Sequence, residues 1–326
     1  FENIPVMKKA FKIIGYILLG FLVLLLCVAA YIQLAPMPTY EVKAPDLKIT
    51  PDSVRLAEGR RIAMSMCVHC HRGPDGKLSG DIWNDDDVIG KLYSANLTQH
   101  PDAGIGRYTD GELANTLRTG IKRDGHFAGP FMMFRNLSDE DLHAVIAFLR
   151  SDAPEVQPSE RRQPSSELAF LGNMFLKFLA KPMPYPEKAI IAPPPSDKLA
   201  YGRYLATGKW ECFGCHSAGF ETNNLEEPEK SKGYFGGGNP LKDPHGNSAL
   251  SANITPDRET GIGAWTEAQF AEAVRFGKRP DGKGLSPLMP PMTMLTDAEI
   301  SAIWAYLQTV PPINNTVART FEAAGQ

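Results

Sequence analysis

The sequence carries little net charge and few cysteines. Its formal net charge is −3 over 326 residues, which is too small to favour a nucleic-acid partner. The five cysteines lack the spacing of a disulfide scaffold, which is normally a shorter chain. Glycine and proline are abundant, with 29 and 27 residues, so we expect many loops and short helices. The length suffices for two domains of ordinary size.

A long apolar run lies near the start of the chain. Residues 13–34 are almost wholly apolar, and a helix of about 20 residues spans the hydrocarbon core of a bilayer. Three lysines precede the run and mixed charges follow it, which predicts a cytoplasmic N-terminus, residues 1–12, and a chain that otherwise lies outside. A cleaved signal peptide would have a shorter apolar core and a clean Ala-x-Ala site. The sequence therefore predicts a transmembrane anchor at 13–34 and a linker at 35–52.

An internal repeat organises the rest of the chain. Residues 94–98 read Ser-Ala-Asn-Leu-Thr, and residues 251–255 read Ser-Ala-Asn-Ile-Thr. Gly-Ile-Gly, an Asp-Gly pair and a methionine follow each run without a gap, and the methionines are Met132 and Met289. The repeat predicts two helical domains, residues 53–155 and 197–313.

Each predicted domain begins with a helix that contains a glycine, Gly59 or Gly202, and ends with a helix capped by serine or threonine. A glycine inside a helix costs about 1 kcal/mol relative to alanine, which predicts a close crossing, with Phe148 or Tyr306 on the terminal helix as the candidate contact. The second domain is longer by insertion, which we assign to a surface loop around residues 233–238.

The segments outside the domains read as linker and tail. Residues 156–196 form an interdomain linker, and residues 314–326 form a C-terminal tail. The linker contains an apolar stretch, residues 168–179, which is too short to span a membrane. Its pattern predicts a helix packed on a domain, and the alternative is an element that docks on the membrane surface or on a partner complex.

Four of the cysteines fall in two Cys-x-x-Cys-His motifs, at residues 67–71 and 212–216. In this motif two thiols form thioethers with haem, and the histidine ligates the iron, its other ring nitrogen donating to a backbone carbonyl. A redox dithiol would favour a βαβ context, and a zinc site would need two further ligands near each pair. The motifs therefore predict two covalently bound haem c groups, attached through Cys67, Cys70 and His71 and through Cys212, Cys215 and His216.

With these motifs in place, each domain resembles a small class I cytochrome c domain. The repeated motifs resemble those in the multihaem cytochrome c subunits of bacterial membrane-bound dehydrogenases and in related membrane-anchored dihaem cytochromes. Those subunits usually carry three haems, whereas this sequence has two motifs. The resemblance implies an all-α fold, in which an N-terminal transmembrane helix precedes two tandem class I cytochrome c domains, with histidine on one side of each haem and methionine on the other.

The sixth iron ligands follow from the repeat and from this resemblance. Met289 is followed by proline, as in the family pattern, and its rivals are Met292 and Met294. Met132 matches Met289 by ungapped register, with the adjacent Met133 as its rival. Four other histidines are alternative ligands, but none recurs at a matched position, so we interpret them as surface or loop residues: His100, His126, His143 and His245. His69 lies between the two cysteines of the first motif and cannot easily reach its own iron.

The sequence thus predicts an electron-transfer protein of the respiratory chain rather than an enzyme. It would be held in the bacterial inner membrane with its haem domains in the periplasm, between a quinol-oxidising complex or dehydrogenase and a terminal oxidase or another acceptor. Two alternatives are a dihaem peroxidase, which needs one iron with an open sixth site, and a fixed subunit of a larger respiratory complex.

Overall fold

The computed structural model describes residues 4–318 and 321–322. Parts of the two predicted terminal segments, residues 1–3, 319–320 and 323–326, lie outside the described residues.

Most regular structure in the described part of the chain is helical. Two π-helical turns, Phe175–Leu179 and Leu205–Lys209, extend the sixth and seventh helices. The ten α-helices of the described residues are α1 Ile4–Leu34, α2 Ser53–Met66, α3 Val68–His71, α4 Asp110–Thr119, α5 Asp139–Leu149, α6 Phe170–Met174, α7 Lys198–Tyr204, α8 Cys212–His216, α9 Glu267–Phe276 and α10 Asp297–Leu307.

Helix α1 contains the predicted anchor. It is 31 residues long, begins before the apolar run, and is long and apolar enough to cross a membrane. None of its most apolar 18-residue window is buried inside the protein. These features are consistent with membrane anchoring.

Capping interactions set the predicted helix boundaries. Thr109, Thr266 and Thr296 each form a full capping box at the start of a helix, and the Ser138 hydroxyl accepts the third backbone N–H of α5 at 3.1 Å. Helices α4 and α9 each end at a left-handed glycine, with φ of 74° and 67°. The predicted serine and threonine caps of α5 and α10 are confirmed, because caps depend on local sequence.

Gly59 and Gly202 permit two close helix crossings, as predicted. A Cβ at Gly59 would lie 1.8 Å from the carbonyl oxygen of Ala144 in α5, and one at Gly202 would lie 2.0 Å from that of Ala302 in α10. The predicted contact residues lie next to these glycines. The Cβ of Phe148 would lie 3.0 Å from a Cβ at Gly59, and the Cβ of Tyr306 would lie 2.9 Å from a Cβ at Gly202. Helix α2 therefore packs directly on α5, and α7 on α10.

Replacing Gly59 with alanine should lower the free energy of unfolding. Alanine gains about 1 kcal/mol of helix propensity, but the crossing must open to admit the methyl group, and overpacking costs about 1–3 kcal/mol. Chemical denaturation followed by circular dichroism would measure the change. Gly284→Ala is the matched control, since the nearest atom to its Cβ would be 4.0 Å away. Equal free energies of unfolding for the two variants would contradict the close crossing of α2 and α5 at Gly59.

The predicted all-α fold is incomplete, because the described residues also form two small antiparallel sheets. Their strands are too short and too polar for an alternating apolar pattern to reveal them. The hairpins occur at equivalent places, each between a glycine and a serine fourteen residues later, Gly80 to Ser94 and Gly237 to Ser251. The first sheet contains β1 Ile82–Asp86, β2 Gly90–Tyr93 and β3 Glu167–Leu168, and the second contains β4 Pro240–Lys242, β5 Ser248–Leu250 and β6 Phe321–Glu322.

The predicted surface loop at residues 233–238 is wrong. Tyr234 and Phe235 are buried, with 8% and 0% of their surface exposed, because the large aromatic rings join the hydrophobic core. Gly237 N donates to the carbonyl of His216 at 2.8 Å, as Gly80 N does to that of His71. Gly237 is therefore the counterpart of Gly80, and the inserted residues lie between His216 and Gly237.

A buried ionic cluster joins the helices of residues 53–155, called the first unit below, to those of residues 197–313, called the second unit. We define it as Glu58, Arg61, Asp141, Lys209 and Glu299. Arg61 donates to both carboxylate oxygens of Glu299, at 2.5 and 2.8 Å. The Lys209 ammonium contacts the Glu58 carboxylate and lies 3.2 Å from that of Asp141. Since charges taken out of water must be paired, these contacts hold α2 and α5 against α10 and the π-helical turn after α7.

The ionic cluster should make stability depend on pH. Burial alone would raise the pKa of Glu58, but the hydrogen bonds from Arg61 and the charge of Lys209 lower it below 4.5. A carboxylate with a lowered pKa stabilises the fold above its ordinary pKa, and this contribution is lost as pH falls through the folded value. Glu58→Gln should therefore be less stable than wild type at neutral pH, and the difference should shrink below pH 4.5. Urea denaturation across pH tests this, with the exposed Glu140→Gln as control.

Candidate haem sites

The first motif lies at the junction of α2 and α3. Cys67 ends α2, and the short helix α3 carries Cys70 and His71. The His71 ring is 5% exposed, and its Nδ1 lies 2.7 Å from the carbonyl oxygen of Ala95. Since a carbonyl only accepts, Nδ1 carries the proton and Nε2 is left with a lone pair for a metal. Burial lowers the pKa of His71, which favours the neutral ring that iron ligation requires.

The second motif repeats this geometry in α8. His216 Nδ1 lies 2.8 Å from the carbonyl oxygen of Ala252, and burial lowers the pKa of His216 as well. Ala95 and Ala252 occupy the same position in the repeated Ser-Ala-Asn runs. A carbonyl acceptor for each histidine was expected from the sequence, but its identity was not. The recurrence of Ser-Ala-Asn after each motif, at whatever spacing, was the signal that could have identified it.

The asparagine of each run, and the serine of the first, keep this carbonyl in place. Asn96 Oδ1 accepts from Thr98 N at 2.9 Å, and Asn253 Oδ1 accepts from Thr255 N at 3.0 Å. The Ser94 hydroxyl donates to the carbonyl of Cys70 at 2.5 Å, which ties the run back to the motif. These residues were not predicted as part of the site, and they orient the histidines rather than contact a cofactor.

The cysteines fit thioether attachment rather than redox or zinc chemistry. None of Cys67, Cys70, Cys212 and Cys215 is in a disulfide. Burial raises the pKa of Cys67 and of Cys212 to about 12, whereas a reactive dithiol has a lowered pKa. Within residues 4–318 and 321–322, no three His, Cys, Asp or Glu side chains are grouped to hold a metal ion, so neither pair has the further ligands of a structural zinc site.

Met132 and Met289 share a backbone pattern. Each N–H donates to the carbonyl three residues earlier, at 3.2 Å for Met132 and 2.9 Å for Met289, and the N–H of the rival Met133 does the same to Pro130 at 3.2 Å. The register changes only afterwards, where Phe134 N donates to Leu117 O and Met292 N donates to Val274 O. The extra residue of the second unit therefore lies between Met289 and Met292, beyond the candidate ligand.

The rival methionines have other surroundings. Met133 is 5% exposed, and a Cβ at Gly120 would lie 3.2 Å from its Cγ, so Met133 packs in the core beside the end of α4. Met292 is partly buried against the hydrophobic core, and Met294 is 40% exposed. His100 Nδ1 accepts the backbone N–H groups of Asp102 and Ala103 at 3.1 and 3.0 Å, which is a loop role.

The two motifs lie near each other. The pKa of Cys215 is raised to about 11, first by burial and then by the charges of Glu211 and Cys70, so both thiols lie within electrostatic range. An aromatic contact also crosses between the units: the ring of Phe131, which lies 5.3 Å from that of Trp83 in its own unit, lies 5.2 Å from that of Phe220, both edge to face and centroid to centroid. Two separate groups of contacts, the aromatic rings and the ionic cluster, therefore fix one unit on the other.

One part of the chain matches a known protein family. Residues 56–152 match the cytochrome c family. The chain contains a cytochrome c domain. Such a domain implies covalently bound haem c, and the matched residues include Cys67, Cys70 and His71 as well as Met132.

Relatives extend the similarity beyond that domain. The chain is 29% identical over 307 residues to the fructose dehydrogenase cytochrome subunit of Gluconobacter japonicus, which covers 87% of this chain and 60% of that protein. It is 28% identical over 276 residues to the cytochrome c subunit of the quinone alcohol dehydrogenase of Gluconacetobacter polyoxogenes, with 80% and 57% covered. A dihaem c-type cytochrome of Cereibacter sphaeroides is 29% identical over 265 residues, with 76% and 82% covered. The chain spans about three fifths of the length of the first two.

Proposed function

We propose that the chain holds two covalently bound haem c groups, one in residues 53–155 and one in residues 197–313, and carries electrons between redox partners. The observation that carries this proposal is the repeated pairing of a Cys-x-x-Cys-His histidine with the carbonyl of a Ser-Ala-Asn run. The thioether cysteines would be Cys67, Cys70, Cys212 and Cys215, and the axial ligands would be His71 with Met132 and His216 with Met289.

The haem iron would supply one-electron chemistry, and the protein would supply ligation, burial and position. Each histidine is neutral and oriented by its carbonyl acceptor, and each methionine offers a soft thioether, which raises the reduction potential relative to a second histidine. The ionic cluster and the ring contacts of Phe131 keep the two units at a fixed separation, as transfer of an electron from one site to the other requires.

We further propose that residues 13–34 span the bacterial inner membrane and that both haem units face the periplasm. The lysines before the apolar run support this orientation. A tether of this kind raises the effective concentration of the haem units near membrane-bound partners.

The partners would be respiratory proteins. Because two relatives are named as cytochrome subunits of dehydrogenases, we favour a fixed electron-transfer subunit of a larger dehydrogenase complex over a free carrier. Electrons would enter from that dehydrogenase or from a quinol-oxidising complex and leave to a terminal oxidase or another cytochrome. Purification of the complex with a constant subunit ratio would support the fixed arrangement, and isolation of this chain alone from its native membrane would contradict it.

Absorption spectra of the purified protein test the electron-transfer assignment. Two six-coordinate sites with thioether ligands should give a weak red band in the oxidised form and no response to carbon monoxide in the reduced form. Prompt carbon monoxide binding by one haem would reveal an open iron. That result would contradict the ligation by Met132 or Met289 and would favour a dihaem peroxidase.

A further inference from the structure

In the apolar part of the linker, polar side chains are buried and several apolar side chains are exposed. We call residues 168–181 the juxtamembrane segment. The polar side chains of its helical part, Asn173 and Lys177, are each only 7% exposed. Four of its apolar side chains are 43–65% exposed. A surface helix in water shows the opposite arrangement, and a contiguous exposed apolar patch marks an interaction site. The four exposed side chains are Phe170, Leu171, Phe178 and Leu179.

The buried polar groups bind the C-terminal end of α1. Lys177 Nζ donates to the carbonyl oxygens of Ile32 at 2.7 Å and Ala35 at 2.5 Å. Asn173 Nδ2 donates to Gln33 Oε1 at 3.3 Å. The last carbonyls of a helix have no partner within the helix, and a cation there also interacts favourably with the helix dipole. Lys177 thus caps the apolar helix at the point where its hydrophobic run ends.

The same segment is fixed to the first helical unit. Ala169 N donates to the carbonyl of Ile89 at 3.0 Å, and a Cβ at Gly172 would lie 2.1 Å from that oxygen. Strand β3 pairs with β2 of the hairpin. The segment therefore connects the end of α1 to the hairpin next to the first Cys-x-x-Cys-His motif.

The patch is continuous with the apolar surface of α1. The ring of Phe178 lies 6.3 Å from that of Tyr31, and Tyr31 and Leu34 are themselves 62% and 80% exposed. Aromatic and aliphatic side chains beside a tyrosine, at the end of an apolar run, match the composition of the membrane–water interface.

We propose that the juxtamembrane segment lies in the interface of the lipid bilayer, with Phe170, Leu171, Phe178 and Leu179 in contact with lipid. This inference rests on the proposed membrane span. Because α1 and the hairpin both hold the segment, its immersion sets the height and tilt of the first haem unit above the membrane, where a membrane-bound partner would meet it.

Photocrosslinking of lipid to the full haem-loaded chain tests this proposal. The protein is reconstituted in phosphatidylcholine vesicles without any other protein. A fraction of the lipid carries a photoreactive diazirine near the glycerol end of one acyl chain. After illumination, adducts are mapped by mass spectrometry. We expect adducts on the C-terminal part of α1 and on residues 170–179. Helix α9 is the internal control, since its Phe276 is 61% exposed but lies in the second unit and should carry none.

The outcomes separate the two proposals. Adducts on α1 without adducts on residues 170–179 would overturn the interfacial segment and leave the span intact, and would indicate that a partner subunit covers the patch. Absence of adducts on α1 would overturn the span itself. In a Phe178→Ser, Leu179→Ser variant, the segment should lose its adducts while α1 keeps its own, whereas Phe276→Ser should change neither.

Discussion

Replacing Met289 with leucine should lower the reduction potential of one haem by on the order of 100 mV, within the roughly 0.8 V that axial ligands can span. Leucine keeps the approximate volume of the side chain but has no thioether, so the iron loses a ligand that favours the reduced state. The same haem should then bind carbon monoxide. A potentiometric titration followed by absorbance, together with a carbon monoxide difference spectrum, would measure both changes.

The neighbouring methionine is the matched control for this substitution. Met292 packs partly buried against the core, and its backbone N–H is bonded to Val274, so Met292→Leu should leave the potential unchanged. In the first unit, Met132→Leu should behave like Met289→Leu, and Met133→Leu should alter stability only. The ligand assignment would be reversed if Met292→Leu shifted the reduction potential and Met289→Leu did not. The same holds in the first unit if Met133→Leu shifted it and Met132→Leu did not.

Replacing Arg61 with alanine should reduce the free energy of unfolding by about 3–5 kcal/mol, which is the cost of removing one partner of a buried ion pair. Glu299 is 2% exposed, and without Arg61 its nearest remaining cation is the Lys209 ammonium, 3.9 Å away. The Arg61 guanidinium also lies 5.3 Å from the centre of the Trp210 ring, a contact that the variant loses. Guanidinium denaturation followed by far-ultraviolet circular dichroism measures the loss.

An exposed ion pair of the same chemistry supplies the control. Arg203 pairs with Glu229 through side chains that are 48% and 42% exposed, so Arg203→Ala should cost no more than about 1 kcal/mol. Adding Glu299→Leu to Arg61→Ala should restore part of the stability, because it removes a buried carboxylate that has lost its closest cation, although it also removes the side chain that completes the capping box of Thr296. Equal losses from the Arg61 and Arg203 variants would show that the cluster does not hold the units together.

The sequence predicted those features that depend on local chemistry. Capping boxes such as that of Thr296 follow from two residues three positions apart, and Gly59 and Gly202 predicted close crossings because glycine inside a helix needs a compensating reason. Met132 and Met289 share the backbone pattern that the ungapped register implies, and their role as iron ligands stays a prediction.

Features that depend on tertiary packing could not be predicted from the sequence. The hairpin strands are three to five residues long, too short for a period to show. The segment around Phe235 reads as a glycine-rich loop, but core burial of the aromatic ring decides its position. Arg61 and Glu299 are 238 residues apart, and no local pattern links them. The carbonyl acceptors of Ala95 and Ala252 carry no side-chain signature of their own.

The count and location of covalent haem test the central claim most directly. Intact-mass measurement of the denatured protein should show two haem masses per chain, and peptide mapping should place one on residues 67–71 and one on residues 212–216. A paired Cys67→Ser, Cys70→Ser variant should retain one haem, and a paired Cys212→Ser, Cys215→Ser variant should retain the other. One haem mass on the wild-type chain, or none on residues 212–216, would contradict the two-haem account.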